Sequence, residues 1–178
     1  MAKKICIKKD RTLTEEKVLA LLADVTEMPP QKPSKKQKEK YSGKKKRHML
    51  KVEMRMSEGG KIVHLSKVYG GRTHDFKIRK QERPFHRDAV KLVDSGYQGL
   101  QKRESLVWLP FKRSKKKPLT SEQKAHNKTL ASLRVPIEHK FAELKVFKIL
   151  SDRYRNFQKK LHLRFNIIAG IVNMKHGF

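Results

Sequence analysis

Hydrophobic and polar positions fall into short blocks separated by prolines, glycines and lysine-rich stretches. Residues 17–25, KVLALLADV, form an apolar run that ends around Asp24 and is closed by Pro29, Pro30 and Pro33. A short apolar run bounded by turn residues predicts a buried strand, although its leucines and alanines also suit a helix. From His48 to Met56 the pattern changes to strict alternation, with Leu50, Val52, Met54 and Met56 at every second position. Successive side chains of a strand point to opposite faces, so this pattern predicts a half-buried strand. Ser57-Glu58-Gly59-Gly60 supplies a turn, and Lys61–Tyr69 alternates again. The two segments together predict a β-hairpin.

Gly70-Gly71 ends that hairpin. Thr73 stands as an N-cap for a short helix that Pro84 closes. Val90–Asp94 reads as a short strand ending on an aspartate, and Ser95–Gly99 turns away from it. Leu106–Leu109 predicts a third core strand, closed by Pro110. Thr120-Ser121-Glu122-Gln123 has the spacing of a capping box. The helix it starts is expected to run to about Leu150, with a break or kink at Pro136. A last helix is expected over 158–173, carrying Leu161, Phe165, Ile168 and Val172. There are no internal repeats. Strand, hairpin, helix, strand, strand and helices in this order predict an α/β fold with a mixed sheet.

Charge changes the picture more than length does. The 178 residues carry 45 Lys+Arg against 17 Asp+Glu, a formal net charge of +28. Such a field points to a polyanionic partner, and nucleic acid fits it best. Two segments concentrate the charge: Lys32–Arg47, with Lys44, Lys45, Lys46 and Arg47 in a row, and Lys112–Lys117. Each would lie along DNA phosphates as a basic loop, or remain a solvated loop with nothing docked. Tyr41, amid the lysines, would either stack on a base or anchor the loop. No stretch approaches the ~18 uninterrupted apolar residues of a membrane span. The opening MAKKICIKKD lacks the apolar core of a secretory signal. Cys6 is the single cysteine, which excludes an internal disulfide and leaves no zinc pattern. These features predict a soluble intracellular protein.

Because acids are scarce, their positions matter. Asp24 and Asp94 each follow an apolar, strand-like run, and ligand sites on open α/β sheets form at strand ends. Glu138 shares one helical face with Arg134 and Lys145, at steps of four (138 − 134) and seven (145 − 138). Three carboxylates from separate elements suit two hard Mg²⁺ ions roughly 4 Å apart, the arrangement used in two-metal phosphoryl transfer. The competing reading makes each aspartate a turn former or cap and Glu138 a solvated partner of a lysine. Glu27, Asp75, Glu143 and Asp152 are further acids with no better claim. Lys145 would hold a phosphate or bridge to a helical acid. Trp108, Phe141, Phe147 and Phe165 read as core, while His48, His64, His126 and His162 share no spacing.

The strings ADVTEMP, KYSGKKKRH, GRTHDF, VDSGYQGL, KPLTSEQKAHN, LASLRVPIEHKFAELKVFKIL and LRFNIIAGIVN follow one another in order. Together they resemble the catalytic domain of bacterial insertion-sequence transposases of the DDE superfamily. The resemblance covers residues 17–175, with residues 1–16 as a basic extension. It implies an α/β, RNase H-like mixed sheet flanked by helices. It implies that Asp24, Asp94 and Glu138 bind two Mg²⁺ or Mn²⁺ ions, with Arg134, Glu138 and Lys145 forming the family's Arg-Glu-Lys signature. It also implies hydrolytic nicking of the transposon end, followed by attack of the freed 3′-hydroxyl on target DNA, by a homo-oligomer at the nucleoid in the cytoplasm. His74-Asp75 matches a family motif that reads as structural rather than metal-binding. The tyrosine that relatives carry three positions before the arginine is Ala131 here. Relatives place a helical DNA-binding region before the first aspartate, whereas 23 residues precede Asp24 (24 − 1). The chain is therefore expected to be the catalytic half of a truncated or split-frame transposase, served by a separately encoded DNA-binding domain. The alternative is an inactive remnant, or a basic protein that coats nucleic acid.

Overall fold

A computed structural model describes residues 19–32, 37–114, 118–156 and 160–178. The extension expected over residues 1–16 lies outside them, as do Lys115–Lys117 of the second basic segment. The first strand, β1 (Ala20–Met28), is followed by a short helix α1 (Gln37–Lys40) and a ribbon of β2 (Tyr41–Ser42) and β3 (Arg47–His48). Next come β4 (Leu50–Ser57), β5 (Ile62–Leu65), β6 (Tyr69–Gly70), α2 (Asp75–Gln81), β7 (Val90–Val93) and β8 (Val107–Trp108). The chain closes with α3 (Ser121–Lys145), α4 (Lys148–Ser151) and α5 (Leu161–Lys175).

The main sheet runs β5-β4-β1-β7-β8, with β6 paired to the start of β4. β4 is antiparallel to β1 and β5, whereas β1, β7 and β8 are mutually parallel. With helices on both faces, this is the mixed α/β, RNase H-like arrangement expected. Side-chain alternation sorts the apolar residues into two layers. Leu22, Leu92, Leu50, Val52, Met54 and Met56 pack under α3, α4 and α5. Leu21, Ala23, Val63 and Val93 pack on the other face with Phe85, Tyr97 and Leu100, beside α2.

Several elements differ from the expectation, each for a local reason. β1 does not stop at Asp24 but runs on to Met28, because β4 pairs with it as far as Met28↔Leu50. The Lys-rich stretch is not one loop: it holds α1 and the β2–β3 ribbon, turned through Lys46 at a left-handed φ of 52°. β4 is buried on both faces rather than one, since α2 and residues 83–100 cover its polar side. His74, not Thr73, takes the N-cap position of α2, with no side-chain cap bond. The predicted core strand at Leu106–Leu109 shrinks to the edge strand β8, and Trp108 is 43% exposed rather than core.

The capping box at Thr120 forms in full, each of Thr120 and Gln123 accepting the other's backbone N–H. Pro136 neither breaks nor ends α3. Its ring and Ser132, four residues earlier, are both exposed, so water can reach the carbonyl that loses its partner. The break falls instead at Val146–Phe147, where the backbone becomes extended before α4. α5 buries Leu161, Phe165, Ile168 and Val172, as its spacing predicts. Asn173 of α5 satisfies the β5 edge, accepting from Ile62 N at 2.9 Å and donating to its carbonyl at 2.8 Å.

Candidate active site

The parallel ladder between β1 and β7 ends at Ala23↔Val93. The next residues on the two strands are Asp24 and Asp94. Both follow leucines of the helix-facing layer by two positions, Leu22 and Leu92. Alternation therefore directs both aspartates toward α3. Neighbouring strands lie ~4.8 Å apart, so two carboxylates are brought side by side from residues distant in sequence. Asp24 lies within β1 rather than at its end, yet it occupies the point where β7 stops and the sheet opens.

Arg134 of α3 lies over the pair. Its Nη2 is 3.2 Å from Asp24 Oδ2, and its Nη1 is 3.5 Å from Asp94 Oδ1. One guanidinium thus bridges both acids. Burial pushes the Asp24 carboxyl up to about 6, against the pull of Arg134 and a backbone N–H from Val25, with Asp94 and Asp75 adding repulsion. Asp94 begins the short helical turn Ser95–Tyr97, and its carbonyl accepts from Tyr97 N at 3.0 Å.

Lys145 is on the α3 face that carries Arg134. Burial lowers the pKa of its ammonium, as does the nearby charge of Lys45, while Glu27 and Asp24 act the other way. The β2–β3 ribbon, which carries Lys44, Lys45, Lys46 and Arg47, therefore comes close to Lys145 through Lys45. Tyr41 packs edge-on against His48 across the ribbon, at 5.8 Å between ring centroids.

Glu138 is exposed one turn, ~6 Å, along α3 from Arg134. It lies on the face between Arg134 and Lys145, but its carboxyl does not join the Asp24–Arg134–Asp94 contact. Among the described residues no group of three or more His, Cys, Asp and Glu side chains forms a ready metal cage. The donors at hand are carboxylate oxygens, the type that hard divalent cations take. A carboxyl buried beside a second one, already leaning on a guanidinium, is a group that a cation would stabilise. Asp24 and Asp94 therefore fit a divalent ion, and Glu138 is the nearest acid on the overlying helix face.

Spacing alone did not single out Asp75 or Lys51. Lys51 Nζ is 2.9 Å from Asp75 Oδ1 and 3.4 Å from Glu27 Oε1, which holds two more acids against the end of β1. A Cβ at Gly96 would fall 2.5 Å from Asp75 Oδ2, so the turn after Asp94 packs closely on Asp75 and a larger residue there would push that carboxylate aside. Of the His74-Asp75 pair, Asp75 packs against this turn and His74 takes the N-cap position of α2. The pair's one legible signal was the string GRTHDF itself.

An RNase H-like sheet with paired aspartates where its central parallel strands part defines a recognisable class of nucleic-acid-processing domain. The chain belongs to the DDE superfamily endonuclease family, whose sequence pattern matches residues 23–173. It is also 39% identical over 154 residues to a probable transposase for insertion sequence element IS702 from Microchaete diplosiphon. That match covers 86% of this chain and 56% of the relative. No solved structure matches the chain. No helix among the described residues is long and apolar enough to cross a membrane.

Proposed function

We propose that this chain is the catalytic part of a DNA transposase that cleaves and joins DNA strands with divalent metal ions. The observation that carries this reading is the pairing of Asp24 and Asp94 under Arg134. Asp24 and Asp94 would hold the ions from the sheet, and Glu138 would complete the set by turning inward from α3. Mg²⁺ or Mn²⁺, as a pair, would supply Lewis-acid activation of the attacking oxygen and charge for the leaving one. In the first step water attacks a phosphodiester at the transposon end, and the broken P–O bond leaves a free 3′-hydroxyl. In the second that hydroxyl attacks a target phosphodiester, so one bond forms as one breaks and no energy source is consumed.

The chain's own residues prepare that chemistry. Arg134 bridges the two carboxylates and holds them toward α3. With Asp24 raised to about 6, the acid is ionised above that pH and available to a cation. Lys45 and Lys145 repel each other, and a phosphate between them relieves that repulsion. Lys44, Lys46 and Arg47 would extend the same track along a DNA backbone. Assembly as a homo-oligomer on paired ends, and service by a separately encoded DNA-binding domain, belong to the same proposal. Transposition of a defined element is proposed on the relative's name alone.

The test is nicking of DNA that carries the element's ends, with Mg²⁺ or Mn²⁺, by wild type and Asp94→Ala. Loss of cleavage by at least about a hundredfold is expected when a group so placed is removed. Equal cleavage by both proteins would overturn the assignment. Tight binding with no cleavage under either ion, unaffected by changes at Asp24, Asp94 or Glu138, would instead identify a nucleic-acid-coating protein.

A further inference from the structure

We propose that Trp108, Phe111 and His126 form a stacking platform for an unpaired DNA base beside the aspartate pair. The inference rests on the reading of the chain as a DNA-processing protein and adds a binding site to it. Trp108 and Phe111 are 43% and 47% exposed on the edge of the sheet. His126 of α3 lies between them, with ring centroids 6.0 Å from Trp108 and 5.1 Å from Phe111. Large aromatic rings left in water forgo burial worth more than that of most side chains, so a fixed, exposed group of them calls for an occupant.

The group is built, not incidental. His126 Nε2 lies 3.2 Å from the Leu109 carbonyl. Asn127 grips Phe111 from both sides, accepting from its N–H at 2.8 Å and donating to its carbonyl at 3.0 Å. Gln98, in the turn that follows Asp94, donates from Nε2 to the Pro110 carbonyl at 3.0 Å. Three consecutive residues, 109–111, are thus held by α3 on one side and by the Asp94 turn on the other. The rings stay extended because the backbone beneath them is pinned.

Position and charge identify the occupant. Trp108 pairs with Leu92, two residues before Asp94, and Gln98 of the Asp94 turn reaches the Pro110 carbonyl. His126 precedes Arg134 on α3 by eight residues (134 − 126), or ~12 Å. That span equals about three or four nucleotide steps at ~3.4 Å each. The residues that follow the platform, Lys112 and Arg113, are exposed cations. An aromatic face next to positive charge suits a nucleotide, whose base stacks while its phosphate meets the cations. A second copy of this chain would bring like charge to the same place. A paired base presents only its edge, so the ring must belong to a single-stranded tail or to a base turned out of the duplex.

Trp108 is the single tryptophan of the chain, which makes its emission a direct reporter. The experiment uses metal-free protein and labelled duplex DNA with a short single-stranded tail, and the same DNA with an abasic tail. Binding is read by anisotropy and stacking by tryptophan emission. The base-bearing tail is expected to quench Trp108 and to bind about five- to a hundredfold more tightly than the abasic one. Phe111→Ala and Trp108→Leu are expected to remove that preference and leave binding of a blunt duplex unchanged. Equal affinity and equal emission with both tails would overturn the platform while the DNA reading stands. Failure to bind any DNA at low salt would overturn both. Quenching that depends on protein concentration without DNA would assign the face to a second copy and overturn the proposal. The wild-type fluorescence arm needs no variant, so a misfolded substitution does not block the test.

Discussion

Asp24 shows how one residue ties site chemistry to stability. Its carboxyl rises from 3.8 to about 6 because burial outweighs the attraction of Arg134. The fold therefore favours the protonated form. Stability from this group is complete below about pH 4 and is lost as pH rises through about 6. Asp24→Asn keeps the shape and removes the charge. It is expected to stabilise the protein at pH 7–8 by on the order of 1–3 kcal/mol, with the difference closing toward pH 4. Urea denaturation across that pH range measures it. A variant less stable than wild type at pH 8 would show that the bridge to Arg134, not burial, dominates. A divalent ion acts on the same group with the opposite sign, since it binds the ionised carboxylate. Mn²⁺ is expected to raise the melting temperature of wild type above pH 6, and to do so much less at pH 5 or in Asp24→Asn. A shift of equal size in both proteins would place the ion elsewhere.

Among the elements, β4 carries the largest unexpected cost. Its polar face does not meet water but enters a buried network. Glu53 Oε1 accepts from Arg55 Nε at 3.1 Å and from Arg79 Nη1 of α2 at 2.7 Å. The Tyr97 hydroxyl donates to Glu53 Oε2 at 3.2 Å, and burial together with that carboxylate raises its pKa. Both guanidiniums lie over the Phe85 ring, at 4.6 and 4.7 Å from its centroid. Tyr97 belongs to the turn that begins at Asp94, so this network anchors the second aspartate from behind the sheet. Removing the charge of Glu53 would take away the buried carboxylate that Arg55 and Arg79 share, while Arg79 keeps Glu104 Oε1 at 4.0 Å. Glu53→Gln is expected to cost about 3–5 kcal/mol. Tyr97→Phe, which deletes one neutral donor, is expected to cost about 1–2 kcal/mol. Chemical denaturation compares the two, and equal costs would mean that the pair is not acting as a charge cluster. The alternation of β4 was legible because apolar residues repeat at every second position. The burial of Glu53 and Arg55 was not, because period two does not distinguish a polar face in water from one sealed by α2 and Phe85. For the same reason β8 looked like core: Leu106–Leu109 is apolar, and nothing local shows that its outer side lacks a neighbour.

At the scale of the molecule, a chain of net charge +28 gathers Asp24, Glu27, Asp75 and Asp94 at one end of its central strands. The two aspartates were legible because each follows an apolar run, and Arg134 and Lys145 because of helical spacing. Asp75 and Lys51 reach the site only through the pairing of β1 with β4 and the seating of α2 against Gly96, contacts that no short stretch encodes. An acidic centre repels DNA unless cations flank it, and the β2–β3 ribbon provides them on the Lys145 side. Replacing Lys44, Lys45, Lys46 and Arg47 together by alanine therefore tests the charge layout as a whole. These residues turn a short exposed ribbon, so the core is expected to keep its stability, which the urea midpoint checks. Each phosphate contact contributes about 0.9 to the slope of log affinity against log salt, so the slope is expected to fall by up to about 3.6. The loss should be similar for all DNA sequences, since phosphate contacts carry no base information. Anisotropy titrations between 50 and 200 mM salt span the range in which several such contacts change affinity by orders of magnitude. An unchanged slope would remove the ribbon from the DNA path and leave Lys112 and Arg113, on the far side of Asp94, as the flank that carries the strand.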